Sequence, residues 1–138
     1  MIRIALEFLG FTLLFAAILV ALEMAFGFGS SAQGIVGSMV AAMLSGQRYA
    51  VRKGANHSAG FAWKAAGVLT LVSCIMGLPL LIFVPEMRAV LTNPEIGPIV
   101  IGVTIFVLLM TFLLIRLGFG LGVRNGMKQQ EKAAEEVF

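Results

Sequence analysis

Three charged side chains stand inside long apolar runs: Glu7, Glu23 and Arg116. Charge in hydrocarbon is expensive, so each is a candidate functional group until a local explanation is found. Glu23, in "LVALEMAF", could carry a proton or bind a cation, with Ser30 or Gln33 across a short turn as hydrogen-bond donors. It also lies about a turn from the end of its run, where snorkelling would hydrate it. Glu7 is one turn from Arg3, which predicts a local ion pair, and it is the expected buried partner of Arg116. Arg116 can otherwise snorkel from the end of its own run.

A second group is basic. Arg48 and Arg52 are one helical turn apart, Lys53 and Lys64 follow, and Tyr49 and Trp63 flank the same loop. Such residues anchor a helix end at the headgroup layer, or form a contact site for anionic lipid. His57 is the single histidine and Cys74 the single cysteine, so neither metal-ligand spacing nor an internal disulfide is available. No nucleophile has a neighbouring base, and the glycine-rich "GFGLG" follows an apolar run, without the strand-and-helix setting that phosphate loops require. The expectation is a protein with no catalytic residue, no metal and no cofactor, and not an enzyme. The net charge of +3 does not point to nucleic acid, because in such an apolar chain the placement of basic residues matters more than their sum.

The elements that must position these residues are helices. The chain has 138 residues, 59% of them hydrophobic and only 12% charged, which a soluble domain of this size could not bury. Its apolar segments are long enough to cross a bilayer, and backbone in hydrocarbon must satisfy its own hydrogen bonds. An all-α integral membrane bundle follows: a single transmembrane domain over 1–138 with spans at about 4–26, 33–50, 61–84 and 98–121. The loop 51–60 and the tail 122–138 are polar, and the tail is expected to continue the fourth helix into water. Gly27 to Ser31 predict a tight antiparallel hairpin, Pro85 ends the third run, and Pro98 suits the first turn of the fourth. Gly77 and Pro79 predict a bend in the third. The first run, with Ser30-Ser31-Ala32 after it, could also be read as a signal peptide. It is longer than an apolar signal core of roughly 7 to 15 residues and contains Glu7, so it reads as a span.

Small residues recur at every fourth position in "SSAQGIVGSMVAAMLSGQ": Ser30, Gly34, Ser38, Ala42 and Gly46. Gly37, Ala41 and Ser45 form a neighbouring row, and Gly118, Gly122 and Gly126 repeat the pattern near the end of the fourth run. Such rows let helix backbones approach closely in lipid. A strict four-residue row advances about 40° per step around a straight helix, so it suits crossed partners. Packing within one chain is favoured over a homodimer face.

Sorting the basic residues by side puts Arg3, Arg48, Arg52, Lys53, Lys64, Arg116, Arg124, Lys128 and Lys132 together, with Arg88 alone opposite. The positive-inside rule then predicts both termini and the 51–60 loop in the cytoplasm. The stretch "AAMLSGQRYAVRKG", and most specifically Gly46 to Gly54, resembles the uncharacterised ABZJ-type family of small four-span bacterial inner-membrane proteins. The resemblance implies that architecture and a multi-pass place in the bacterial cytoplasmic membrane; it implies no reaction. The expected partners are the bilayer, anionic lipid at the cytoplasmic face, and either a membrane-protein partner or a second copy. The expected role is structural or accessory, through helix packing. The alternative is a small transporter or proton-coupled carrier using Glu23.

Overall fold

A computed structural model of the chain describes residues 1–27, 31–54 and 58–138, and the side chains among them except at 31–34, 80 and 81. Those residues form five helices: α1 (Ile2–Phe26), α2 (Ser31–Lys53), α3 (Ala59–Phe83), α4 (Pro85–Thr92) and α5 (Gly97–Val137). The fold is all-helical. Three of the helices, α1, α3 and α5, are long and apolar enough to cross a membrane among the described residues. At 23 residues α2 is long enough to cross as well, but its serines, glycines, glutamine and basic end make it less apolar.

Helix ends follow from local chemistry. α1 and α2 both stop at a glycine in the left-handed conformation, Gly27 at φ 71° and Gly54 at φ 61°. There the amide of Gly27 donates to the Glu23 carbonyl and that of Gly54 to the Ala50 carbonyl, each at 2.8 Å, satisfying acceptors that a helix end leaves open. Ser58 accepts a hydrogen bond from the Phe61 amide at the start of α3. Pro79 lies within α3, as its sequence position requires.

The segment after Pro85 corrects the simple connection expected there. α3 ends at Phe83, just before Pro85 as expected, but Pro85 also occupies the first turn of a further helix, α4, where its missing N–H is no loss. Arg88 reaches back to donate to the Ile82 carbonyl at 2.5 Å, and Asn93 Oδ1 accepts from the amides of Glu95 and Ile96 in the turn into α5. The fourth helix continues past the end of its apolar run, as expected of the polar tail. α5 continues unbroken to Val137, so at 41 residues it is about 61 Å long, twice a hydrocarbon core of roughly 30 Å.

The helices are joined around one seam. Moving down three turns of α5, a side chain placed on Gly118, Gly122 or Gly126 would meet the main-chain carbonyls of Met39, Met43 and Gln47 on α2 in turn. A Cβ on Gly118 would lie 2.5 Å from the Met39 oxygen, and one on Gly126 2.7 Å from that of Gln47. Gly46 of α2 stands in the same relation to the Phe119 carbonyl. Matching steps of four in the same order mean that α2 and α5 run parallel, backbone against backbone. α1 packs antiparallel on the other side of α2, where Phe15 and Leu19 are the nearest side chains to Gly37. α3 runs antiparallel to α5, with Trp63 stacked on Phe112 at a ring separation of 5.6 Å. The core is formed by Phe8, Leu69, Ile115, Phe119 and Val123 with Ala41, Ala42, Ala65 and Ala66.

Of the predicted small-residue row, Ser30 lies outside the described residues, and at Gly34 only the helical backbone is described. Ser38 is half-buried, Ala42 and Gly46 are fully buried, and so are Gly118 and Gly122. The row changes partner along its length: Ser38 lines a small cavity with Thr12 and Phe15 of α1, whereas Gly46 meets α5. Two steps of the row amount to about 80° of rotation, which is what carries it from one neighbour to the other.

Adding one methyl group at the seam should force the two backbones apart. Gly122→Ala should lower the thermal midpoint in detergent by about 5 °C or more, or abolish the monodisperse species. Gly120→Ala, where the added group meets nothing within 4 Å, should leave both unchanged. Circular dichroism melts with size-exclusion profiles read the difference, and equal midpoints for the two variants would contradict a backbone-tight seam.

Candidate functional site

The contacts at one end of the bundle gather residues from three helices. α1 and α3 begin there, α2 ends there, and α5 passes through. Glu7 on α1 forms a two-pronged ion pair with Arg52 on α2: Nη1 donates to Oε1 at 2.5 Å and Nη2 to Oε2 at 3.1 Å. The fork of a guanidinium fits both carboxylate oxygens at once, so this pair fixes direction as well as distance. It replaces the two pairings predicted for Glu7. Arg3 follows the same face of α1 but is not its partner, and Arg116 lies elsewhere, its guanidinium 4.1 Å over the Trp63 ring. The cause is the hairpin: it brings the end of α2 beside the first turns of α1, and a fork from across the groove fits better than a neighbour along the helix.

Two cavities open on this end. One, of about 450 Å³, lies between α1 and α2 and is lined by Arg3, Glu7, Phe11, Gln47, Arg48 and Arg52. Arg48 sits 4.9 Å over the Phe11 ring, a cation held on an aromatic face. Three guanidiniums against one carboxylate leave this cavity positive. The second, of about 540 Å³, lies where α1, α2 and α3 meet and is lined by Arg3, Tyr49, Arg52, Lys53 and Phe61. Tyr49 stacks on Phe61 with centroids 4.9 Å apart, forming its apolar wall. Arg3 and Arg52 line both cavities, so the ion pair stands as a divider between them.

The four basic residues singled out by sequence therefore divide. Arg48 faces the first cavity, Lys53 the second, Arg52 both; Lys64 is exposed near the start of α3 and lines neither. Arg3, which sequence placed only as a partner for Glu7, belongs to the site. Its membership depends on how α1 lies against α2, and no spacing within the sequence signals it. A separate groove of about 400 Å³ holds Arg116 and Arg124 on α5 beside Ala59 and Ala62 on α3. Gln129 and Gln130 lie in the polar tail expected to continue into water, yet they dock on α2: Gln129 Oε1 accepts from Gln47 Nε2 at 2.9 Å, and Gln130 Nε2 donates to the Val51 carbonyl at 2.7 Å.

Glu23 is exposed in the last turns of α1, at the other end of the bundle, and lines neither basic cavity. Its predicted hydrogen-bond partner Ser30, the side chain of Gln33 and the loop residue His57 lie outside the described residues. Cys74 is half-buried and unbridged. Among the described residues, no group of three or more His, Cys, Asp and Glu side chains is arranged to hold a metal ion. No family model, curated protein or solved structure matches the chain.

The ion pair can be tested by reversal. Glu7→Arg or Arg52→Glu alone should lower the thermal midpoint by a few degrees, because each places like charges together in the cleft between α1 and α2. The double exchange should recover at least half of that loss. Recovery by neither the exchange nor a change in salt would mean that the two side chains do not interact.

Proposed function

We propose that the chain is a four-span structural or accessory protein of a bacterial cytoplasmic membrane, acting through helix packing rather than catalysis. The α2–α5 seam is the observation that carries this reading. It holds α2 and α5 at backbone distance through Gly46, Gly118, Gly122 and Gly126, which supports packing within the chain. It also leaves the stretch of α5 from Ile101 to Met110 exposed on every side, as surface for lipid or a partner helix. α2 runs antiparallel to α1 and parallel to α5, so it shares their depth, which supports a fourth span despite its lower apolarity. Several hydroxyls in the helices bond to carbonyls four residues back, as Ser45 does to Ala41 and Thr111 to Val107 at 2.8 Å each, which suits those side chains to hydrocarbon. The gathering of Arg3, Arg48, Arg52 and Lys53 at one end supports the same topology, with that end and both termini cytoplasmic.

The orientation is tested by single cysteines in a Cys74→Ala background. Ser58→Cys should react with an impermeant maleimide only after the inner face is opened, and Asn93→Cys should react in intact cells; the reverse pattern would overturn the topology. The class of function is tested in liposomes carrying a pH-sensitive dye. The wild-type protein and Glu23→Gln should leave proton leakage at the protein-free level. A flux that the wild type supports and Glu23→Gln abolishes would replace this reading with a carrier.

A further inference from the structure

We propose that the basic end of the bundle binds one anionic glycerophospholipid, its phosphate held by Arg3, Arg52 and Lys53 and one acyl chain lying in the groove between α1 and α3. The inference rests on the membrane reading above and names the partner of that end. Its first support is charge. Among the described residues, the cavity lined by Arg3, Arg52 and Lys53 has no carboxylate in its own wall, and the one nearby, Glu7, engages only Arg52. Arg3 and Lys53 thus offer two cations to whatever enters, with the Tyr49 ring beside them. A phosphate diester fits this balance. A headgroup with its own ammonium does so less well.

The second support is what adjoins the cavity. A groove of about 460 Å³ runs between Ile2, Leu6 and Leu9 of α1 and Val72, Ile75 and Met76 of α3, with no polar atom in its wall. Met1 lines both this groove and the basic cavity, so a ligand can occupy the two together. From Ile2 to Leu9 the groove follows α1 for about 10 Å, most of one leaflet's roughly 15 Å of hydrocarbon. A helix, about 10–12 Å across with its side chains, would need roughly twice the groove's volume over that length. A single hydrocarbon chain does not. Basic residues above and an apolar slot leading away from them match one molecule that is anionic at one end and hydrocarbon at the other.

Native mass spectrometry of the full chain in detergent tests this, with phosphatidylglycerol, phosphatidylcholine of the same acyl chains, and inorganic phosphate as probes. The wild type should retain one phosphatidylglycerol at concentrations where phosphatidylcholine is not retained. Arg3→Gln with Lys53→Gln should weaken that retention by about tenfold. Lys64→Gln with Lys128→Gln, which removes the same charge from outside the site, should change it by less than about twofold. Filling the groove with Ala5→Phe should reduce lipid retention without altering phosphate binding, and Val72→Phe answers the same question should Ala5→Phe fail to fold. Equal retention of the two lipids, equal losses from the two charge-removed pairs, or no effect of filling the groove would each overturn the proposal. A phosphate signal that accounts for all the binding would assign the cavity to a free anion instead. Since the measurement is made in detergent, it stays readable if cysteine labelling reverses the topology, and a correctly inserted chain with no lipid preference would sink the lipid site alone.

Discussion

The close approach of α2 and α5 is the constraint on which the other contacts depend. Between helices in lipid there is no water to expel, so attachment comes from van der Waals contact and from polar groups that meet directly. Both grow as backbones approach, and only glycine permits carbonyl oxygens to occupy the space where a side chain would begin. Gly118, Gly122 and Gly126 open three successive turns of α5 to the carbonyls of α2, and Gly46 returns the contact. This places glycine Cα–H groups against carbonyl oxygens, a weak attraction that recurs where helices touch so closely. Phe119 and Val123, each one residue past a glycine of that line, lie together along one side of it and fill the core.

Parallel packing of these two helices has an electrostatic consequence. The C-terminal end of α2 comes to rest beside the stretch of α5 that carries Arg124 and Lys128, so basic side chains collect where α2 presents its open carbonyls. Arg52 and Lys53 in the last turn of α2 oppose the negative end of its dipole, and Gln130 donates directly to Val51. The same arrangement sets the Glu7–Arg52 pair. Once the seam fixes α2, the hairpin leaves α1 only its own face to adjust, and the two-pronged contact selects one register.

Much of this architecture is legible in the sequence because hydrocarbon imposes simple rules. The apolar runs of α1, α3 and α5 announce helices, and the glycine rows announce close contact. What the rows do not announce is their partner: a smooth face is equally suited to α1, α5 or a second chain, and the drift that carries Ser38 to α1 and Gly46 to α5 appears only with the neighbours in place. α4 is hidden because proline both ends and begins helices, and the preceding apolar run makes the first meaning look sufficient. The continuation of α5 past residue 121 is legible as a polar helical tail, but its docking on α2 is hidden, because the glutamines that hold it reach back by about eighty positions. The pairings of Glu7 and Arg116 fail as local guesses for a related reason. A charged group on a membrane helix takes the best partner across the groove, which for Glu7 is a guanidinium 45 residues away and for Arg116 an indole ring.

The bundle is closely packed on one side and loose on the other, and the two conditions are connected. Backbone contact along α2 and α5 draws the core toward that line. α1 and α3 reach it from different directions, α1 through α2 and α3 through α5, so the first turns of α1 and the middle of α3 stay separated by a groove of about 460 Å³. An apolar gap left empty forfeits the dispersion contacts of every atom lining it, and in a bilayer the material at hand to restore them is hydrocarbon chain. On the proposed lipid site, surrounding lipid would become part of the packing of α1 on α3. With Arg3 and Lys53 in the adjoining basic cavity, the proposal makes the choice of lipid and the spacing of these two helices one equilibrium: an occupant that fits both ends would stabilise the separation that admits it.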